Sequence, residues 1–513
     1  MIVLNVAGLV STADFLLAQS RNHRFCVIAP SVAERSVARG DRSCYVFDTS
    51  LHNLVFYVIV NSARLILITL IFAVPAILLI DGPIVQGLVV AVLSVGTTIA
   101  AVSLRQGEAG FLLPVIRPIV GLAMIPAVWM LFQIVPLDNT GLAHPIWQSA
   151  EQALGSRIGG SISVNPGATL VALGQYLSML AVTLLAAAVA VDRQRAEWVL
   201  FALVAAAALV AVVMIGHGVM HFTFLDEDRG STGRAQARDC VALGLIASTA
   251  AAIRAFERRE TAHLHPERSA TTLLQTFAVC LAVMLCGIAL ALDLSGTLLF
   301  VVTYGLGMLL AVVLIRRMRL GIWGGTAIAV TALLVAIAII GGQSAIRHTD
   351  FTLAFALQQP GALISTTQRI LADAPWTGTG AGTFASLLPI YIDAGDIVAD
   401  AVAPTAASNA AITLGRPMFW MIVVTVMFGI FVLLRGALNR GRDSFHPAAG
   451  ASSLLLLLLF SFCDNGILGM PVGICAAGMI GLAFAQCTSR TTAQMGDAEL
   501  RSGWHRQANG RHK

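Results

Sequence analysis

Residues 193–220 read RQRAEWVLFALVAAAALVAVVMIGHGVM: two arginines, then an apolar run. About twenty apolar residues carry a helix across the hydrocarbon layer of a bilayer, and Trp198–Met220 is that long. Both arginines stand on one side of the run, and the asymmetry recurs in both directions along the chain. Comparable runs occupy Ala63–Ile80, Ile84–Leu104, Pro118–Val135, Thr169–Val191, Cys240–Ile253, Thr272–Leu292, Gly296–Ile315, Gly321–Ile340, Met418–Leu434, Ala448–Cys463 and Pro471–Cys487. With the N-terminus inside, the short inner loops hold fourteen arginines, among them Arg193, Arg195, Arg254, Arg258 and Arg316. The short outer loops hold Arg157, Arg229, Arg234 and Arg238. Positive charge near span ends is retained in the cytoplasm. The expected fold is therefore an all-α polytopic membrane protein of about twelve transmembrane helices with both termini cytoplasmic. The first pair of runs also fits a re-entrant hairpin, and Cys240–Ile253 is short for a span.

Composition agrees. Hydrophobic residues make up 57% of the 513 and charged residues 12%, against roughly 25% charged in soluble domains. The net charge of +5 calls for no nucleic-acid partner, since Lys513 is the one lysine and the arginines follow topology. The eight cysteines form no CxxC pair and most lie in or beside apolar runs, so they read as apolar fillers rather than disulfides or metal ligands. Residues 1–62 read as a cytoplasmic tail: Ile2–Ala18 contains Asp14 and lacks the basic start of a signal peptide. Helices one to nine fall within 63–341, helices ten to twelve within 418–487, and 488–513 is a basic cytoplasmic tail that suits anionic lipid.

The segment 342–417, between the ninth and tenth spans, is longer than a connection requires. It contains Phe351, Phe355, Leu363, Ile370, Leu371, Trp376, Phe384 and Tyr391, too much apolar surface to leave in water. A cap on the outer face is expected. Thr366–Asp373 reads as a short helix stopped by Pro375, because a residue before proline is pushed out of the α region.

Three outer stretches carry a family likeness. Asp373-Ala-Pro-Trp-Thr-Gly-Thr-Gly-Ala-Gly-Thr-Phe384 is followed by Leu388-Pro-Ile-Tyr391. His144-Pro-Ile-Trp147 and Ser161–Thr169 follow an early span, and Arg229-Gly-Ser-Thr-Gly233 precedes a short one. In order and topology these resemble the O-antigen ligase and polymerase family. The resemblance implies a multi-pass protein of the bacterial inner membrane that acts in surface-polysaccharide assembly. Its donor would be a glycan on undecaprenyl diphosphate, and its acceptor a second glycan or lipid A core, joined on the periplasmic side without metal or other cofactor. A diphosphate leaving group needs fixed positive charge, and the guanidinium fork matches phosphate oxygens. Arg229, Arg234 and Arg369 are the candidate diphosphate ligands, with Arg238, Arg347 and Arg416 also on the outer side.

Simpler roles stand beside these. Arg229 to Arg238 also fit a solvated loop neutralised by Asp226, Glu227, Asp228 and Asp239; Arg369 fits a solvent-facing helical arginine; Arg416 fits a headgroup contact. Residues 403–415 hold no histidine, and Thr413 stands where the family has an acid, so the catalytic base is unassigned. His348, at the start of the long loop, is the candidate by position, while His144, His217 and His221 also suit structural roles. The glycine run lacks the Gly-Lys-Ser/Thr ending of a phosphate loop and reads as a tight turn. Three functions stay open: a polyprenyl-diphosphate glycosyltransferase, a non-catalytic relative that keeps the lipid-glycan groove, and an unrelated transporter. Buried acids are scarce in the apolar runs, which weighs against the transporter.

Overall fold

The computed structural model describes residues 62–80, 82–103, 106–137, 141–157, 159–220, 230–262, 269–293, 295–317, 350–356, 359–393, 402–439 and 444–487. These residues are helical throughout, apart from turns and one isolated bridge between Pro136 and Ser161. The helices are α1 (Ser62–Leu79), α2 (Pro83–Ser103), α3 (Gln106–Ile134), α4 (Ile146–Leu154) and α5 (Pro166–Val189). Next come α6 (Arg193–Met220), α7 (Gly230–Ala262), α8 (Ser269–Leu292) and α9 (Gly296–Arg317). The segment expected to form a cap, called the cap below, supplies α10 (Gly361–Asp373), α11 (Phe384–Tyr391) and α12 (Ala406–Thr413), and α13 (Arg416–Asn439), α14 (Phe445–Phe460) and α15 (Met470–Ala485) close the chain's described part.

Eight of these helices are long and apolar enough to cross a membrane, and three shorter apolar helices lie at 84–100, 445–460 and 470–485. The expected span 321–340, both tails, Arg229, His348, Arg347 and His221 lie outside the described residues. Cys240–Ile253 is not a short span. It is the middle of α7, a helix of 33 residues that continues through Arg234 and Arg238 at one end and Arg254 and Arg258 at the other.

In hydrocarbon every backbone group must bond within its own segment, which is why unbroken apolar runs become helices. Their ends are set locally. Asn165 accepts from the amide of Ala168 at 3.1 Å, and Pro166 occupies the first helical position of α5. Thr405 does the same for α12, accepting from Ser408 N at 3.0 Å. Asp373 ends α10 two residues before Pro375, at the expected stop, although the helix begins earlier than Thr366.

The α7 helix packs on α6, α8, α9, α14 and α15, and α15 packs in turn on α5 and α1. Small residues bring these helices close: Gly244 of α7 faces Ala207 of α6, Gly450 of α14 faces Ala483 of α15, and Gly481 of α15 lies on Thr183 of α5. On the outside, Phe277, Leu281, Met284, Ile288 and Leu292 form an exposed stripe along α8. Ile84, Leu88, Val92 and Val95 expose a similar stripe on α2. Continuous apolar surface of this extent suits lipid rather than water.

Candidate functional site

The cap is stitched to the bundle through its glycine run. Gly378, Gly380 and Gly382 have φ of 79°, 106° and 74°, and Gly415 has 90°. A side chain at Gly380 would run into Ser163, and one at Gly415 into the carbonyl of Trp376. Only glycine combines that left-handed backbone with so close an approach. Backbone bonds then join three segments: Val164 N to Thr379 O (2.9 Å), Thr379 N to Ile412 O (3.1 Å) and Gly380 N to Thr413 O (3.0 Å). The expectation of a tight turn describes this run, and the turn also serves as the joint between cap and helices.

One buried side chain locks the joint. Gln133, on the last turn of α3, donates to Thr377 O (3.1 Å) and Thr413 O (3.0 Å) and accepts from Ala381 N (3.2 Å). Trp129, one turn earlier, donates to Leu414 O at 2.9 Å. Ser163 meets Thr169 at 2.7 Å and accepts, through its carbonyl, from the Trp147 indole at 3.2 Å. The two stretches Ser161–Thr169 and Asp373–Phe384 thus meet in space, although about two hundred residues separate them. Nothing in the sequence marked Gln133 or Trp129; both looked like ordinary members of an apolar run.

The solvent face of the cap carries polar groups. Arg369 grips Asp393 with both terminal nitrogens, at 3.1 and 3.0 Å, and also reaches Thr366 at 3.3 Å. The hydrogen bonds and charge of Arg369 hold the Asp393 carboxyl below its ordinary range. Beside them, burial first, then the negative Asp373, push the Tyr391 phenol up. Arg416 reaches Asp350 at 3.2 Å and the carbonyl of Leu371 at 3.4 Å.

Arg234 is exposed on the first turns of α7, with His217 at 3.5 Å. The structure therefore gives Arg234 and Arg369 different partners. His144 is half-buried; its Nδ1 accepts from the amide of Ile146 at 3.3 Å, and burial lowers its pKa. That bond assigns the proton of the neutral ring to Nε2, which makes Nε2 a donor and not a base.

Arg238 overturns its expected setting. It is buried inside α7 instead of sitting in a solvated loop, and three carboxylates surround it. Asp464, in the turn after α14, bonds it directly; Asp239 lies 3.7 Å away and Asp293, at the end of α8, 3.9 Å away. The turn that carries Asp464 also holds the cap: Ala406 N donates to Asp464 O at 2.9 Å, and Ala407 N to Ser461 O at 2.8 Å. Asp293 and Asp464 both follow apolar runs on the side expected to face out, a shared position from which the cluster could have been found.

No protein-family model matches the chain, and no curated protein matches it significantly.

Proposed function

We propose that the protein is a glycosyltransferase-like inner-membrane protein of surface-polysaccharide assembly. In this reading it transfers or polymerises a glycan carried on undecaprenyl diphosphate at the capped end of the bundle. The observation that carries it is the joining of residues 161–169 and 373–384, two of the three stretches with the family likeness, into one hydrogen-bonded unit. Arg369, Asp373, Tyr391 and Arg416 stand on the same cap. The lipid tail of such a donor would enter from the apolar faces of the helices, and the sugars and diphosphate would lie at the cap. The excess of arginine in alternate loops supports a cytoplasmic N-terminus, twelve spans, a periplasmic cap and a cytoplasmic C-terminus.

A second reading, a non-catalytic relative that binds the same lipid-linked glycan, has its own support. Arg369 and Arg416 already hold carboxylates, and His144 is placed to donate. Glycan profiling of a deletion strain separates the cases. Loss of a ligase leaves bare core and accumulated lipid-linked chains; loss of a polymerase leaves single capped units. For a non-catalytic binder, transfer by purified protein is absent while labelled lipid-linked glycan still binds. An unchanged polysaccharide profile in the deletion strain would sink both readings.

A further inference from the structure

Beneath the cap, Asp239 is in an unusual position. Its side chain is fully buried, and by bond length and angle no donor meets either carboxylate oxygen. Its charged neighbour Arg238 approaches only to 3.7 Å and spends a terminal nitrogen on Asp464. An ionised carboxylate left in that state is costly, because a buried charge needs both a counter-charge and hydrogen bonds. The Asp239 and Asp464 carboxyls nevertheless share one small space: Gly466 donates its amide to Asp464 Oδ1 at 2.9 Å, a side chain on Gly466 would come within 2.5 Å of Asp239 Oδ2, and Arg238 lies against both acids. Two carboxylates are both acceptors and cannot bond each other; one of them must carry a hydrogen.

We propose that Asp239 and Asp464 form a proton-binding site, a carboxyl–carboxylate pair that holds one proton between α7 and the turn that anchors the cap. The charge count agrees. Arg238 offsets one of the three carboxylates, Asp293 keeps partial contact with solvent at 32% exposure, and the shared proton removes the remaining buried charge. A metal ion fits less well. A side chain on Gly466 would come within 2.5 Å of Asp239 Oδ2, so the backbone of the turn already closes over that oxygen. Among the described residues, no group of three or more His, Cys, Asp or Glu is arranged to hold one.

Among the described residues, the other titratable groups beside the pair are two thiols, Cys240 and Cys463, and on α6 the imidazole of His217. Cys240 is a buried free thiol, Cys463 donates to the carbonyl of Leu459 at 3.4 Å, and His217 lies against Arg234. Asp464 is also a mechanical element. Its Oδ1 accepts from Gly466 N at 2.9 Å and its carbonyl accepts from Ala406 N, so the proton sits in the joint that connects the bundle to α12. Loss of the proton places two negative carboxylates face to face and pushes the anchoring turn away from α7.

The sign of the pH dependence follows. The folded chain keeps a proton that an unfolded aspartate has released at neutral pH, so stability falls as pH rises across that window. Asp239→Asn and Asp464→Asn each replace the shared proton with an amide donor. The test uses the full chain in detergent or nanodiscs. The wild type should show a protonated-carboxyl band in its infrared spectrum at neutral pH, shifted in heavy water, and a melting temperature that declines with alkalinity. Each Asn variant should fold, lose that band and lose that decline. Absence of the band from the wild type, or its survival in both variants, overturns the proposal. A pH profile shared by the wild type and both variants does the same. So does failure of both variants to fold, since an amide at either position supplies the donor.

Discussion

The two ends of the bundle invert one another. Under the cap, one arginine, Arg238, faces three carboxylates. At the opposite end one carboxylate, Glu197, collects three arginines: Arg254 directly, Arg258 at 2.7 Å and Arg193 at 3.9 Å. A single helix joins the two, since α7 carries Arg238 near its start and Arg254 sixteen residues later. At 1.5 Å per residue that is roughly 24 Å, close to the thickness of a bilayer core. The gathering of arginines at one end is the kind of asymmetry on which the positive-inside bias acts. The chemistry of the two ends differs as well. Guanidinium groups do not release protons at any ordinary pH, whereas carboxylates take them up. The basic end is therefore fixed in charge, and the capped end can adjust.

The sharpest way to break this contrast is to remove the central counter-charge of each cluster, Arg238 or Glu197. Arg238→Met should destabilise the protein by about 3–5 kcal/mol at neutral pH, the usual cost of breaking a buried pair. Glu197→Gln should cost a similar amount, because Arg254 is buried and also lies over the Phe445 ring, 5.0 Å from its centroid. Mild acid should restore much of the melting temperature of the Arg238 variant and none of that of the Glu197 variant. Equal pH responses in the two would refute the division into an adjustable end and a fixed one.

A smaller loss is expected at the cap joint. Gln133→Leu removes three bonds to buried backbone and should cost roughly 2–3 kcal/mol, since each stranded group costs about 1–3 kcal/mol with some relaxation. Limited proteolysis from the capped side should then cut within residues 373–415 before the helices. If the helices are cut first, Gln133 supports the bundle as a whole and not the joint.

A gentler effect is expected at His144, where the sign is opposite to that of the acid pair. Burial lowers its pKa, so the unfolded chain binds the extra proton, and stability drops as pH falls below about 6.5. Hydrogen exchange in residues 144–165 should quicken on acidification in the wild type and stay level in His144→Gln. The smallest change in stability should come from Arg369→Lys, because Asp393 is solvent-exposed and a lysine keeps the charge. Under the proposed function, polysaccharide output should nevertheless fall, since lysine loses the two-pronged grip. Full output would remove Arg369 from the proposed site.

The helices could be read from the chain because their cause is local and repetitive. Long apolar runs have one way to satisfy their backbone in lipid, and arginines bracket them on alternate sides. Pro375 after Asp373 announced the end of α10, and Asn165-Pro166 marks the start of α5. The failures fell where polar residues interrupt a pattern. Arg234 and Arg238 looked like loop residues because their charge masked the helix that continues through them. Burial of such residues is affordable only when partners from other helices are present.

What the sequence determined by itself was the class of protein, the approximate position of its spans and the likelihood of an ordered segment after α9, all consequences of composition and spacing along one strand of chain. The tertiary structure alone decided that Gln133 holds the cap, that residues 161–169 meet residues 377–383, and that Asp239, Asp293 and Asp464 converge on Arg238. Those contacts join residues dozens to hundreds of positions apart. A periodic pattern records which face of a helix is apolar, but it carries no record of which polar side chains at the ends of different helices will be brought within 4 Å of one another.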